Sequence, residues 1–348
     1  MSPHADTFDT PSRPALLFHI PKAMFDRCFL PSDMARLHET FQVLVPESNQ
    51  AGDLVSRWME NGVGVRAVVT GWDSPPITTR MLEATPEISV LVHAAGSIKP
   101  FIPDTIWERP VRIATTNDAL GLGVAETALG LIIASLKGFF PCAALTRSGR
   151  WQESLPERGY GRVREMFNLT VGIIGASRTG RHLIRLLEPF DLDVLLYDPT
   201  ISENEAFDLG VQPVSLNRLM EASDVVSLHA PPLPHLRHLL STPEFRAMKS
   251  DAIFINTARG MLVDEDALVH ELETGRISAI LDVTFPEPPC RHSRLRSLPN
   301  VVLLPHIAGA ISNGCYRQGR SAVNQLMEWA TGCQMSGELT PERLSVMA

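Results

Sequence analysis

Short aliphatic and β-branched runs recur along the chain, separated by stretches in which apolar residues return every three or four positions. The first series predicts strands at Ala15–Phe18, Gln42–Val45, Arg66–Val69, Ile88–Val92 and Val111–Ala114, a five-stranded α/β unit. The second predicts six, at Thr170–Ile174, Asp193–Tyr197, Val225–Leu228, Ile253–Asn256, Ala279–Val283 and Val301–Leu304. Their lack of alternation suits parallel strands covered on both faces. An apolar connecting helix is expected from about Gly123 to Lys137. A helical pattern over Ile311–Trp329 should carry the chain back to the first unit.

The sharpest local signal is Gly175-Ala176-Ser177-Arg178-Thr179-Gly180, between a buried strand and a helix with apolar Leu183, Ile184, Leu187 and Phe190. Gly175 permits a tight turn, and Gly180 lets helix and strand approach. The free N–H groups of the helix start, around Ser177, Arg178 and Thr179, suit a pyrophosphate. Ser177 departs from G-x-G-x-x-G; its Cβ should push the pyrophosphate outward while its hydroxyl offers a hydrogen bond. Asp198 ends the next strand, where a carboxylate can bind the adenosine ribose and repels a 2′-phosphate. Pro199-Thr200-Ile201-Ser202 holds no cation to receive that phosphate, so NAD is the expected cofactor.

The expected fold class is therefore α/β with two domains. A Rossmann-type doubly wound parallel sheet takes residues 117–311, and a flavodoxin-like, discontinuous substrate domain takes 1–116 and 312–348. A chain of 348 residues is too long for one ordinary core, which agrees with that division. The net charge of −8, without a basic run, argues against nucleic acid as a partner. The polar segment from Met1 to Pro14 lacks the apolar core of a signal peptide. The longest apolar stretch, Ala128 to Leu136, falls short of the roughly 20 residues of a membrane span. Five scattered cysteines (Cys28, Cys142, Cys290, Cys315 and Cys333) read as reduced thiols of a cytoplasmic protein.

Three polar residues stand just beyond the carboxyl ends of later strands: Arg259, Glu287 and His306. Ligands of open α/β sheets bind at such ends. Reduction of a 2-oxo acid needs a cation for the carboxylate, a task for the planar fork of Arg259. It also needs a proton for the developing alkoxide, a task for His306. Glu287 would orient the imidazole and favour its charged form. Each residue alone has a bland explanation: Arg259 could pair with Asp264 or Glu265, His306 could be structural, and Glu287 could be a loop carboxylate. Their joint placement beside a dinucleotide motif favours the chemistry.

With these residues the chain resembles the D-isomer-specific 2-hydroxyacid dehydrogenase family. The matching stretches are the Gly turn, Val124-Ala125-Glu126, Ala222–Pro231, Ile255–Asp264, Asp282-Val283, Glu287-Pro288 and Pro305–Gly309. The resemblance implies that Arg259, Glu287 and His306 take the catalytic positions and that Asp282 contacts the nicotinamide carboxamide. It implies that His229, Ala230, Pro231, Thr257, Ala258 and Gly309 line the cofactor, that the hydroxy acid is the D-isomer, and that the protein is a homodimer. Ala95, Gly96 and Ser97 stand where such enzymes offer backbone N–H groups to the substrate carboxylate. The usual Gly-x-Asp-rich turn is replaced here by Ser97-Ile98-Lys99-Pro100. Lys99 could meet a second anionic group but reads first as a solvated lysine.

Formate-type relatives carry Gln at the place of Glu287, which speaks against that reaction. His229, His235 and His238 lack the partners of a metal site, so no metal is expected. Glu126 could serve only as a first-turn acid of the connecting helix. The alternative from another class is an NADH-sensing binding protein or corepressor on the same scaffold.

Overall fold

The computed structural model describes residues 13–62, 64–155 and 163–347. The N-terminal segment considered above lies, up to residue 12, outside the described residues. The strands are β1 (Ala15–Phe18), β2 (Gln42–Leu44), β3 (Val65–Gly71), β4 (Val90–Ala94) and β5 (Arg112–Thr115). They continue with β6 (Phe167–Ile174), β7 (Asp191–Tyr197), β8 (Gln212–Pro213), β9 (Val225–Leu228), β10 (Ile253–Asn256), β11 (Ser278–Leu281), β12 (Val301–Leu303) and β13 (Glu338–Leu339). Two compact units result, one from the residues up to Ala119 with Ser312–Ser345, the other from Leu120–Ile311.

In the first unit the order is β13-β5-β4-β3-β1-β2, parallel except for antiparallel β13. The sheet thus has six strands rather than the expected five. The two residues of β13 are too few for a periodic signal, and their anchor is distant in sequence. Arg112 grips Glu338 with Nε–Oε1 and Nη2–Oε2 both at 2.7 Å. Strand β4 is buried throughout, and helix Asn313–Ala330 packs on it through Cys315, Ala322, Val323 and Leu326.

In the second unit seven parallel strands run β12-β11-β10-β9-β6-β7-β8, one more than expected because β8 is only a two-residue edge. Successive side chains separate onto two faces. Val225, Ile253, Ile255 and Ile280 join one core with Leu183, Ile184 and Leu187 of helix Arg178–Leu187. Val226, Leu228, Phe254 and Leu281 join another with Phe245 and Leu268. Both faces are covered, which explains the unalternating runs.

The connecting helix spans Asn117–Leu136, starting earlier than the expected Gly123. Gly121 and Gly123 obscure its pattern, and Gly121 has a packing reason: a Cβ there would stand 3.2 Å from the Thr179 amide and hydroxyl. Glu126 consequently lies inside the helix, not in its first turn, and is exposed. At 20 residues this helix is long and apolar enough to cross a membrane by length and composition, whereas Ala128 to Leu136 alone suggested otherwise. Its Ala125, Ala128, Leu131, Ile132 and Leu136 are committed to the core of the second unit.

Three buried histidines give the fold a pH dependence. Burial pushes His19, His93 and His229 down to about 4, against backbone contacts that work upward at the first two. The unfolded chain binds protons at these rings near pH 6.5, so it takes up more protons than the native state between about pH 6.5 and 4. Their contribution to stability is therefore fully present above pH 6.5 and is lost as pH falls towards 4, by on the order of 3 kcal/mol per ring. Thermal melting from pH 7 to 4.5 should show a steadily falling midpoint; a flat profile would refute the role of these rings.

Candidate active site

The cofactor side begins at the turn after β6. Gly175 has φ +101° and donates its N–H to Tyr197 O at 2.8 Å. A Cβ on it would come within 2.7–2.8 Å of the His229–Ala230 backbone. A Cβ on Gly180 would stand 2.1 Å from Gly175 O. Both glycines are thus required by backbone approach. The His229–Ala230 backbone packs against this turn, with the His229 ring buried and its Nε2 2.8 Å from Ser227 Oγ.

Ser177 is the N-cap of helix Arg178–Leu187, its Oγ accepting from Gly180 N at 3.3 Å. The serine that breaks the glycine pattern therefore has a local structural role in starting the helix. Arg178 and Thr179 occupy the first turn, half-buried. Among the described residues the amides of Ser177 and Thr179 donate to no group. Asp198 is half-buried at the end of β7; its Oδ2 accepts from Ala176 N at 2.6 Å, and Oδ1 from Thr200 N and Oγ1 at 2.8 and 2.6 Å. Free amides at a ten-residue helix start and a partly exposed carboxylate one strand away fit a dinucleotide's pyrophosphate and ribose.

The catalytic candidates follow three neighbouring strands. Arg259 lies after β10, Glu287 after β11 and His306 after β12. His306 Nδ1 and Glu287 Oε1 are 2.6 Å apart, both side chains partly open to solvent. Among the described residues neither Asp264 nor Glu265 pairs with Arg259. The Arg259 side chain reaches solvent, yet surrounding protein removes enough of its hydration to lower its pKa, against the opposing pull of Glu287. Arginine remains charged regardless.

Supporting residues escape a reading by chemistry alone. Asn256 Oδ1 accepts from Ala258 N at 3.0 Å while its Nδ2 donates to Arg259 O at 3.1 Å, an Asx turn that aims the arginine. An Asn closing a strand was the available signal. Gly260 lets the Arg259 and Glu287 loops meet, since a Cβ would lie 2.1 Å from the Thr284 carbonyl. Beside it, Thr257 is buried and Ala258 half-buried. Asp282 is 2 % exposed, and its carboxylate accepts from Ile307 N at 2.8 Å and Ala308 N at 2.9 Å. His306 N adds a bond to the Asp282 carbonyl at 3.0 Å. Thr127 Oγ1 donates to Ala308 O at 3.2 Å, and Leu120 lies 3.5 Å from where a Gly309 Cβ would be. Asp282 thus secures the backbone that displays His306. In the first unit, Ala95, Gly96 and Ser97 form the turn after β4. Among the described residues no group of three His, Cys, Asp or Glu could hold a metal.

Residues 129–308, over half of the chain, match the family model "D-isomer specific 2-hydroxyacid dehydrogenase, NAD binding domain". The chain is 29% identical over 258 residues to a D-3-phosphoglycerate dehydrogenase of Methanocaldococcus jannaschii, covering 74% of this chain and 48% of that protein, so it spans about half that relative's length. It is 30% identical over 309 residues to glyoxylate/hydroxypyruvate reductase B of Escherichia coli, covering 87% and 93%. The apo D-mandelate dehydrogenase of Rhodotorula graminis shares the fold, with a TM-score of 0.79 at 22% identity over 94% of this chain and 98% of that one. The glycine turn, the strand order and these matches agree: the chain belongs to the D-isomer specific 2-hydroxyacid dehydrogenase family, and its second unit carries that family's NAD-binding domain.

Proposed function

We propose that the protein reversibly reduces a small 2-oxo acid to the D-2-hydroxy acid, with His306 as acid/base, Glu287 as its partner and Arg259 as the substrate anchor. The observation that carries this is the 2.6 Å contact between His306 Nδ1 and Glu287 Oε1. With Nδ1 held by a carboxylate, Nε2 is the ring atom left to give the substrate oxygen a proton, and Glu287 fixes the orientation of the ring that does so. Bound NADH supplies the hydride. Arg259 offers its fork to the substrate carboxylate, and its lack of an Asp264 or Glu265 partner supports that task. Ala95, Gly96 and Ser97 are proposed as further substrate contacts. We assign 117–311 to the dinucleotide and 1–116 with 312–348 to the substrate.

Homodimer formation is supported by exposed Phe139, Phe140 and Trp151, which follow the half-covered helix Asn117–Leu136. A reducing cytoplasmic setting agrees with five cysteines of which none forms a disulfide among the described residues. The relatives' names put glyoxylate, hydroxypyruvate and 3-phosphoglycerate-type acids first among substrates to try.

The test is NADH oxidation against a panel of 2-oxo acids, with NADPH in parallel; Asp198 leads us to expect preference for NADH. In Glu287→Gln, kcat for reduction should fall about tenfold or more, because the charge-assisted contact that holds the ring at Nδ1 is lost. An unchanged kcat would remove Glu287 from the mechanism. NADH binding without turnover of any acid would favour the sensing protein instead.

A further inference from the structure

We infer that Asn117 is a positioning residue that presets the Gly96–Ser97 turn as a two-donor seat for the substrate carboxylate. The inference deepens the proposed function, resting on its assignment of this turn to the substrate. Asn117 opens helix Asn117–Leu136, and its side-chain amide, oriented by its partners, donates to Gly96 O at 2.8 Å and Ala95 O at 3.0 Å. In a trans peptide the carbonyl and the following N–H point in opposite directions. Holding these two carbonyls therefore turns the Gly96 and Ser97 amides the other way. Neither amide donates to a group among the described residues, and both residues are half-buried. Adjacent unsatisfied amides aimed together form an anion-binding concavity.

The base of the turn is braced as well. Thr116 N donates to His93 O at 3.1 Å. The His93 ring is fully buried, with Nδ1 2.9 Å from Thr70 Oγ1 and its face against Phe101 at 4.9 Å. Its Nε2 faces the Ser97 backbone without a well-formed hydrogen bond. Asn117 is thus the direct clamp, and His93 the floor beneath it.

The decisive variant is Asn117→Asp, which keeps the size but presents only acceptors to two carbonyls. Oxamate affinity of the NADH-loaded protein, read by nucleotide fluorescence, should fall about tenfold or more, a change that needs only one charge-assisted hydrogen bond. KM for hydroxypyruvate should rise in proportion while the KM for NADH holds, and preference for the acid over its uncharged amide should narrow. Asn117→Ala, free of the added charge, should move the same quantities in the same direction. Lower melting temperature with unchanged oxamate affinity in both variants would make Asn117 merely structural and overturn the inference. Ser97→Pro separates the two claims, because it deletes one amide. If Ser97→Pro weakens oxamate binding and the Asn117 variants do not, the positioning role fails alone. If Ser97→Pro has no effect, or the wild type does not bind oxamate, the carboxylate seat itself fails.

Discussion

His306→Asn is expected to lower kcat for 2-oxo acid reduction by about 10²–10⁴-fold, the usual contribution of a positioned acid/base. Asparagine is a cleaner probe than alanine because His306 sits at φ +55°, a left-handed conformation that asparagine tolerates best among non-glycine residues. The surrounding backbone should stay in place. Asp282 holds the amides of Ile307 and Ala308, and the His306 amide reaches the Asp282 carbonyl. An asparagine can still touch Glu287, but it cannot hold and release a proton at neutral pH. NADH binding should survive, since the glycine turn and Asp198 are untouched. Steady-state rates with fluorescence titration of NADH provide the check. A variant retaining more than about a tenth of wild-type kcat would exclude His306 as the acid/base.

The second large effect is expected at Gly180. Gly180→Ala places a methyl 2.1 Å from Gly175 O, and Gly175 cannot retreat. Its own φ of +101° and its packing on Ala230 leave no slack, and its N–H is tied to Tyr197 O. Ordinary overpacking costs about 1–3 kcal/mol, and a backbone collision belongs at the upper end. The turn must open, so NADH affinity should fall at least tenfold and the melting temperature should drop, both measurable on one preparation. Ser177→Gly makes the contrast. It removes the cap bond to Gly180 N, a loss of only a few tenths of a kcal/mol, and should leave NADH binding intact. Equal NADH affinity in Gly180→Ala and wild type would refute the close-approach argument.

Much of this was legible in the linear chain because its causes are local. Unalternating runs at Val225–Leu228 and Ile253–Asn256 announce strands buried on both faces, and the structure buries all four residues of each. The 175–180 window carries its own turn chemistry and helix start. Arg259, Glu287 and His306 could be singled out because each follows a strand that is itself readable, and a parallel sheet sends all its carboxyl ends one way.

Other features depend on partners far away in sequence. Strand β13 pairs with distant β5, where Glu338 also meets Arg112, and no two-residue segment declares a strand by itself. Within helix Asn117–Leu136, Gly121 lies against Thr179, so this glycine marks close packing and not a break. Ser177 departs from the glycine pattern and offers its hydroxyl to a phosphate when read in sequence; the fold uses that hydroxyl as a helix cap. The same holds for Asp282, whose sequence neighbours cannot show that its carboxylate spans to the amides of Ile307 and Ala308. By itself the sequence determined the strand-and-helix alternation, the cofactor turn and the residue types of the chemistry, since periodicity and backbone conformation are properties of neighbours. Only the tertiary structure decided which carboxylate meets which nitrogen, which glycine faces which backbone and which asparagine turns two amides outward, because those are distances between segments that the chain brings together only by folding.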